Sequence, residues 1–333
     1  MKNEDFIYQS STTRVKEKNL LKRQDYERLI DSNDLEELIR LLSDTVYHSE
    51  LSKLDNPKLY DKALSKELEN TYKYFYEMSD SVLPVKFLAV QYDYHNLKVL
   101  IKEYLKGEDL SYMLSDISDI DPEEIRKVLN SDDFKLENEH YQKVIDESLE
   151  DFENNHDPQM IDIYADREYF VELKEIVDQM NSKLLKEYVE DLIDFTNVQT
   201  LLRAQKQGKD LEFLEKVIID GGTIEKDAYS NYLFTELDED SPLFTSSRIY
   251  YRLKDAIKSY KMTSSLSEFE KQKDDYLMNK IKEIRKITYG PEVITGYLFA
   301  KETEIKNLRI IFVGKINSLD PDFIRGKLRL GYA

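Results

Sequence analysis

The chain of 333 residues is strongly acidic, with 67 aspartates and glutamates against 48 lysines and arginines, and its formal net charge is −19. This charge disfavours binding to the phosphate backbone of nucleic acids and to anionic lipid headgroups. The absence of cysteine excludes disulfides, thiolate metal ligands and cysteine nucleophiles.

The N-terminal residues MKNEDFIYQS lack the apolar core of a secretory signal. No later stretch reaches the roughly 18 uninterrupted apolar residues that a membrane-spanning helix needs. Even the apolar stretch from 81 to 94 contains Lys86 and Asp93. We therefore expect a chain that does not span a membrane by itself.

Apolar residues recur at helical spacing along most of the chain. The 9 glycines and 7 prolines are too few for many hairpin turns, so an all-α fold is predicted. Prolines that follow Asp, Asn or Ser predict helix starts at Asn56-Pro57, Asp121-Pro122, Asp157-Pro158, Ser241-Pro242 and Asp320-Pro321. Apolar positions predict helices around Leu35, Leu38, Ile39, Leu41 and Leu42, around Phe87, Val90, Tyr94, Leu97, Ile101 and Leu105, and around Leu173, Ile176, Val177 and Met180.

Two parts of the sequence repeat at an offset of 101 residues. One register holds over more than fifty residues, and chance matches would not keep a common offset. The matched pairs are Asn56-Pro57 with Asp157-Pro158, Asp61 with Asp162, Asp93 and Asn96 with Asp194 and Asn197, Leu100-Ile101-Lys102 with Leu201-Leu202-Arg203, and Gly107-x-Asp109-Leu110 with Gly208-x-Asp210-Leu211.

A third copy of the repeat is weaker. Glu304 and Asn307 keep the spacing of the earlier motifs and are followed by Ile311-Phe312. We therefore predict three related helical units at 1–130, 131–230 and 231–333, with boundaries good to about ten residues. Downstream, Asp320-Pro321, Ile324, Arg325 and Leu328 match Asp121-Pro122, Ile125, Arg126 and Leu129.

The acid and the asparagine of each repeated motif are three residues apart and share one face of a helix. One interpretation is a binding pair. The plainer one is a polar contact that caps a neighbouring helix or satisfies backbone groups at a junction between units. The threefold recurrence favours the plainer interpretation, because a catalytic site rarely occurs three times in one chain. The motif residues are Asp93, Asn96, Asp194, Asn197, Glu304 and Asn307.

Patterns that would indicate an enzyme are weak. The sequence has no Gly-x-x-x-x-Gly-Lys-Ser/Thr phosphate loop and no Gly-x-Ser-x-Gly elbow. Short Glu-x-x-His patterns are expected by chance in a glutamate-rich chain, and acidic doublets are more typical of a solvated face. We predict no catalytic residue, no cofactor and no metal. The weak candidates are Glu137-x-x-His140, Glu153-x-x-His156, Asp132-Asp133 and Asp274-Asp275.

The C-terminal stretch is basic within an acidic chain, with almost no acid after Asp322. The plainer interpretation is a solvated helix face. The alternative is contact with an acidic partner helix, where charge would give orientation more than affinity. The candidate contact residues are Lys98, Arg309, Lys315, Arg325, Lys327 and Arg329.

The segment YDYHNLK at 92–98 resembles the Asp-x-x-Asn-Leu-Lys signature of the first unit in the C subunit of V/A-type rotary ATPases, the counterpart of the eukaryotic d subunit. The segment LLSDTVY at 41–47 is similar to that family's Leu…Thr-x-Tyr segment. DFTN at 194–197 and EIKNLR at 304–309 stand where the second and third units carry the same motif. Their order and spacing extend the resemblance over nearly the whole chain.

The resemblance implies three helical units arranged as a funnel with pseudo-threefold symmetry. It implies a non-catalytic adapter whose mouth receives the foot of the central shaft and whose base sits on the membrane rotor ring. Such a part carries torque between ATP hydrolysis or synthesis and the movement of protons or sodium ions. The implied partners are shaft subunits and the ring, and the implied location is cytoplasmic and peripheral to the membrane, without lipid insertion or nucleic acid.

One departure from the motif is Gln199, which stands where the other copies carry Lys98 and Arg309. If that position contacts a partner, the three units contribute unequally to that contact.

Two other classes of protein compete with the adapter. The first is a generic helical-repeat scaffold that binds peptides, although solenoid repeats are usually about 33 to 47 residues long. The second is a helical enzyme that holds magnesium or iron with paired carboxylates.

Overall fold

A computed structural model of the chain describes residues 2–131 and 133–333. In that part of the chain all regular structure is helical and no β-strand occurs, so the prediction of an all-α fold is confirmed. Contacts divide the chain into a discontinuous unit, Met1–Leu88 with Ser267–Ala333, and a central unit, Ala89–Leu266. The predicted boundaries near 130 and 230 follow sequence likeness instead, so the division into three related units stays a prediction.

The helices follow one another with connections of varied length, the longest between Val217 and Tyr250. In chain order, the α-helices of the described residues are α1 (Ile7–Glu17), α2 (Arg23–Ile30), α3 (Leu35–Leu41), α4 (His48–Leu51), α5 (Tyr60–Met78), α6 (Leu83–Lys106), α7 (Pro122–Leu129), α8 (Glu139–Asn155), α9 (Gln159–Met180), α10 (Lys183–Gln207), α11 (Leu211–Val217), α12 (Tyr250–Thr263), α13 (Leu266–Ile281), α14 (Pro291–Ile316) and α15 (Pro321–Lys327). Short 3-10 helices span Asn3–Phe6, Pro57–Leu59, Ser111–Met113, Lys226–Tyr232, Pro242–Phe244 and Lys282–Lys286.

Side-chain caps explain where several helices begin. The Asp121 carboxylate accepts a backbone N–H two residues on, and Pro122 takes the first position of α7, as predicted. Asp320 caps α15 in the same way. Asn56-Pro57 and Ser241-Pro242 open 3-10 helices of three residues each, so helices start at both predicted positions and are of the 3-10 type. In the first case the turn continues directly into α5.

The core of the discontinuous unit is α14, whose buried residues run from Pro291 to Gly314 and lie on every side. A helix that is apolar all round must be covered on all sides, and both α1 and α5 pack along it. Tyr60 of α5 stacks on Phe312 with ring centroids 4.3 Å apart. Gly314 lets α15 approach, because a Cβ there would lie 2.5 Å from the Cδ1 of Ile324. Residues from both ends of the chain therefore build one core.

The central unit packs α8 against α9 and α9 against α10. Asn181 ends α9 in the left-handed region at φ 53°, and the side chain of Ser182 caps α10. This two-residue turn brings α10 back beside α9. Asp194 and Asn197 of α10 are fully buried, so the repeated motif lies inside the unit. Among the described helices, none has the length and apolar content that a bilayer crossing needs.

Candidate functional site

The asparagine of each motif makes the same pair of hydrogen bonds. Its Nδ2 donates to the carbonyl of one backbone residue downstream, and its Oδ1 accepts the N–H of that same residue. A carboxamide can do this because it has the donor and acceptor of a peptide group. The bonds join Asn96 to Ser115 (3.0 and 2.8 Å), Asn197 to Ile219 (2.7 and 2.9 Å) and Asn307 to Arg329 (2.9 and 2.8 Å).

The aspartate of the first motif binds the same downstream loop as its asparagine. Asp93 Oδ1 accepts from the Ser118 hydroxyl and the Asp119 N–H, both at 2.8 Å. Its Oδ2 accepts from the Tyr141 hydroxyl at 3.1 Å. Burial raises the pKa of Tyr141, and the neighbouring Asp93 charge adds to the effect, so the phenol stays a proton donor. The buried carboxylate is therefore satisfied by backbone and hydroxyl groups.

The second aspartate follows the same rule. Asp194 Oδ1 accepts the N–H groups of Thr223 and Ile224 at 2.9 and 3.1 Å, and its Oδ2 accepts from the hydroxyls of Thr223 and Ser247. A Cβ on Gly222 would lie 2.3 Å from Asp194 Oδ1. This close approach to the carboxylate explains why position 222 is a glycine.

The acid of the third motif is a glutamate, and it binds residues near the N-terminus. Glu304 accepts the N–H of Leu21 and, at 2.5 Å, the hydroxyl of Tyr47. Buried Lys301 lies 3.1 Å from the same carboxylate and 4.0 Å from the centre of the Tyr47 ring. Lys301 also pairs with Glu67 at 3.5 Å, although burial still raises the pKa of Glu67. This cluster connects α14 to the N-terminal helices.

The weak candidates for metal ligands do not come together. His140 bonds to Glu168 at 2.9 Å and to Glu175 at 3.1 Å, not to Glu137. His156 ends α8 in the left-handed region. In residues 2–131 and 133–333, no group of three or more His, Asp or Glu is placed to hold a metal ion. The predicted absence of a metal and of a cofactor stays a prediction.

The acidic doublets need a correction. Asp132 lies outside the described residues. The expectation of a solvated face is wrong for Asp274, whose side chain is 20% exposed and pairs with Arg329 at 2.9 Å and with Lys306. Asp275 accepts the backbone N–H of Leu330 at 2.6 Å. Both acids hold the C-terminal segment against α13, a contact that sequence spacing could not indicate.

The predicted contact residues at the C-terminus all have partners within the chain. Most of the acids that pair with them come from distant segments, so the local sequence makes the region look more basic than it is. These charges are therefore largely neutralised before any partner binds. The pairs are Lys98 with Asp166 (2.9 Å), Arg309 with Asp61 (2.7 Å), Lys315 with the Ser32 carbonyl (2.6 Å), Arg325 with Glu27 and Asp31 (2.7 and 2.5 Å), Lys327 with Glu268, and Arg329 with Asp274 (2.9 Å).

An apolar groove of about 350 Å³ lies beside these charges, between the last turns of α14 and α15. Three residues that line it, Val313, Leu319 and Phe323, are 45, 40 and 53% exposed, and Ile316 in the last turn of α14 is 38% exposed. Clustered exposed apolar side chains are typical of protein contact surfaces. The spacing of three and four residues between these apolar positions is a sequence signal for this surface, whereas the charges indicate only the basic residues beside it.

Comparison with known proteins bears on the whole chain. The model of the ATP synthase (C/AC39) subunit family matches residues 10–327. The chain is 25% identical over 326 residues to the C subunit of the V-type sodium ATPase of Enterococcus hirae, covering 96% of each chain. It is 27% identical over 350 residues to the C subunit of the A-type ATP synthase of Methanocaldococcus jannaschii, covering 97% of this chain and 86% of that one. The corresponding A-type ATP synthase protein of Haloferax volcanii is 31% identical over 168 residues, 49% of this chain and 47% of its own. The resemblance seen in the motifs is confirmed, and the chain belongs to the ATP synthase (C/AC39) subunit family.

Proposed function

We propose that this chain is the non-catalytic adapter of a V/A-type rotary ATPase, joining the central shaft to the membrane rotor ring at the cytoplasmic face. The observation that carries the proposal is the match of the family model to residues 10–327 of this chain, together with the alignment to 96% of the Enterococcus hirae protein. That relative is named for a sodium ATPase, and two others are named for ATP synthases. The proposal therefore covers ATP-driven transport of protons or sodium ions and ATP synthesis.

The hydrogen bonds that the buried polar groups make within the chain support a non-catalytic role. The Asp194 carboxylate and the Asn197 amide are hydrogen-bonded to backbone and hydroxyl groups. Glu304 is 3% exposed and bonded to Leu21 and Tyr47. General acid–base catalysis needs a group within reach of a substrate proton, which these buried groups are not. Fixing loops to long helices is instead what a torque-carrying part requires.

We also propose the funnel of three helical units with pseudo-threefold symmetry. Its support is the recurrence of one device on α6, α10 and α14, where each asparagine amide pairs with a backbone residue 19, 22 and 22 positions away. An experimental structure of the assembled complex tests this. We expect the three long helices and their bonded loops to superpose after rotations near 120°, and unrelated orientations would contradict it.

The proposed partner contact is the C-terminal surface, made of the apolar groove at Val313, Leu319 and Phe323 and the basic residues around it. The exposed apolar side chains support it more than the charges do, because those charges are already paired. Lys98 is proposed by analogy, since it occupies the position of Arg309 in the first motif.

Affinity purification from detergent-solubilised native membranes tests the function. We expect tagged protein to recover shaft and rotor-ring subunits in near-stoichiometric amounts, identified by mass spectrometry. Recovery of other proteins alone, with no ATPase component at any salt concentration, would support the generic helical scaffold instead.

A variant of the groove tests the contact. Phe323→Asp places a charge in the groove, and we expect about tenfold less recovery of the partner that binds there. Met262→Asp is the matched control, because Met262 is 78% exposed and lies in α12, far along the chain from the groove. Equal recovery by both variants would contradict the contact.

A further inference from the structure

A polar cleft of about 690 Å³ opens between the α1–α2 turn and the loop from α3 to α4. Lys18, Lys22 and Arg28 line one wall, and Asp44 and Thr45 line the other. It lies within the discontinuous unit. Neither the repeated motifs nor the C-terminal surface accounts for its composition.

The three cations of the cleft are exposed, and none of them forms an ion pair with any residue in the described part of the chain. They contrast with the C-terminal cations, which all have partners. In this stretch, residues 13–28, six basic residues stand against three acidic ones, while the whole chain carries −19. The lining also contains Asp25 and Asp44, so the cations outnumber the acids by three to two, and a recess strengthens the attraction of that excess for an anionic group.

The two walls of the cleft are fastened to one buried carboxylate. Glu304 accepts the Leu21 N–H from one wall and the Tyr47 hydroxyl from the end of the other. Both oxygens of Glu304 are used, and Lys301 lies 3.1 Å from one of them. The cleft is thus formed in advance, which lowers the ordering cost of binding. This gives a reason for the third motif to carry a glutamate, whose extra methylene extends its reach.

The mixed charge of the lining narrows the ligand class. Asp25 is occupied, because it accepts the backbone N–H of Lys22 at 2.8 Å, but Asp44 is exposed. Asp44 would repel a phosphate group or a membrane of anionic lipids. A peptide segment fits better, since it can place carboxylates against the cations and offer an N–H or hydroxyl donor to Asp44. The volume of the cleft suits several side chains.

We infer that this cleft binds a carboxylate-bearing segment of another protein in the same assembly, with Lys18, Lys22 and Arg28 as its cationic contacts. The identity of the assembly rests on the proposed function. The binding chemistry itself rests on the unpaired cations and on the walls fixed by Glu304.

Carbodiimide cross-linking of the purified, detergent-solubilised complex tests this directly, because the reagent joins a lysine amine to a carboxylate in contact with it. We expect mass spectrometry to find Lys18 or Lys22 joined to an Asp or Glu of another subunit. Exposed Lys62 and Lys127 serve as internal comparisons. Failure of Lys18 and Lys22 to link to another subunit, in a complex that remains intact, would overturn the inference.

The triple variant Lys18→Glu, Lys22→Glu, Arg28→Glu tests the energetics. We expect about tenfold weaker recovery of the cross-linked partner from membranes. The control Lys62→Glu, Lys127→Glu, Lys206→Glu makes the same charge change at exposed positions outside the cleft and should bind as wild type. Circular dichroism checks that both variants keep their helices. Equal recovery by the two folded variants would overturn the inference.

A separate probe distinguishes failure of the inference from failure of the proposed function. If wild-type protein recovers no ATPase component, the proposed function is wrong, and binding of a synthetic Glu-Ser peptide then tests the cleft. Calorimetry should show binding by wild type and the control but not by the cleft variant. Equal binding by all three overturns the inference. Binding of inorganic phosphate or anionic vesicles by wild type but not by the cleft variant, in the absence of any cross-link from Lys18 or Lys22 to another protein, also overturns it, because the ligand would then be of a different class.

Discussion

At the scale of single residues, Asn197 shows why the motif uses an amide at its second position. Its Nδ2 donates to the Ile219 carbonyl and its Oδ1 accepts the Ile219 N–H. A carboxylate would bring acceptors to both groups, so the carbonyl would face negative charge in a site with no exposed surface. The motif therefore depends on the donor that only the amide supplies.

Asn197→Asp is expected to lower the free energy of unfolding by about 1–3 kcal/mol, because one buried carbonyl loses its donor. Urea unfolding at neutral pH measures this. Asn231→Asp is the control, since Asn231 is exposed, and it should change stability by less than about 0.5 kcal/mol. A stability of Asn197→Asp equal to wild type would contradict the assigned role.

Gly222→Ala is expected to destabilise the central unit by about 1–3 kcal/mol, because the new Cβ would lie 2.3 Å from Asp194 Oδ1 and 3.1 Å from a methyl group of Ile193. Thermal unfolding measures the change. Gly326→Ala is the matched control: a Cβ there meets nothing within 4 Å, so α15 should be unchanged or slightly more stable. If both variants melt like wild type, the Asp194 loop is more adaptable than its geometry indicates.

At the scale of helices, α8 is joined to α9 through one imidazole. His140 contacts Glu168 through Nδ1 and Glu175 through Nε2, so both ring nitrogens face carboxylates. Burial tends to lower the pKa of His140, but the hydrogen bonds to Glu168 and Glu175 outweigh it, and the pKa is raised above its ordinary value. Lys143 also pairs with Glu168 at 2.8 Å, and the charge of Glu172 adds to the field around the ring.

The α8–α9 contact should therefore weaken as pH rises. A folded-state pKa above the unfolded value of about 6.5 means that the stabilisation is complete below that pH and is lost as pH rises through the folded pKa. We expect the stability difference between wild type and His140→Gln to be about 1–2 kcal/mol at pH 6 and to shrink at alkaline pH. Urea unfolding of both proteins from pH 6 to 9 measures it, and a difference that does not depend on pH would contradict the charged imidazole.

Local sequence patterns predict several helices well, but they do not predict contacts between residues that are far apart in the sequence. The apolar spacing from Phe87 to Leu105 predicted α6, which spans Leu83–Lys106. The partners of Glu304 could not be predicted, because Leu21 and Tyr47 are 283 and 257 residues away in sequence. The motif residues were recognised from their repetition. The loops that they hold could be seen only once the chain was folded.

At the scale of the whole molecule, the cations that lack an ion-pair partner are not those that the sequence singles out. The C-terminal cations are paired, while unpaired cations lie in the cleft near the N-terminus. A chain of net charge −19 should meet its partners mostly through its acids. We therefore expect basic loops on the rotor ring where the proposed adapter binds.

Binding to the purified ring should then weaken as salt is added, because the Debye length falls from about 10 Å at 0.1 M to about 3 Å at 1 M. Sedimentation with ring-containing detergent micelles across this range measures the affinity, and sucrose at equal osmolality is the control. Binding that does not change with salt would count against an electrostatic contact.

The joining of both chain ends around α14 has a consequence for synthesis on the ribosome. Residues 89–266 of the central unit emerge as one uninterrupted stretch, so all of its helices are available early. The N-terminal helices emerge first, yet α1 and α5 pack on a helix that begins only at Pro291. The apolar faces of α1 and α5 therefore stay uncovered by α14 during most of translation. A truncated message that ends before α14 would yield a chain in which these helices lack the core against which they pack.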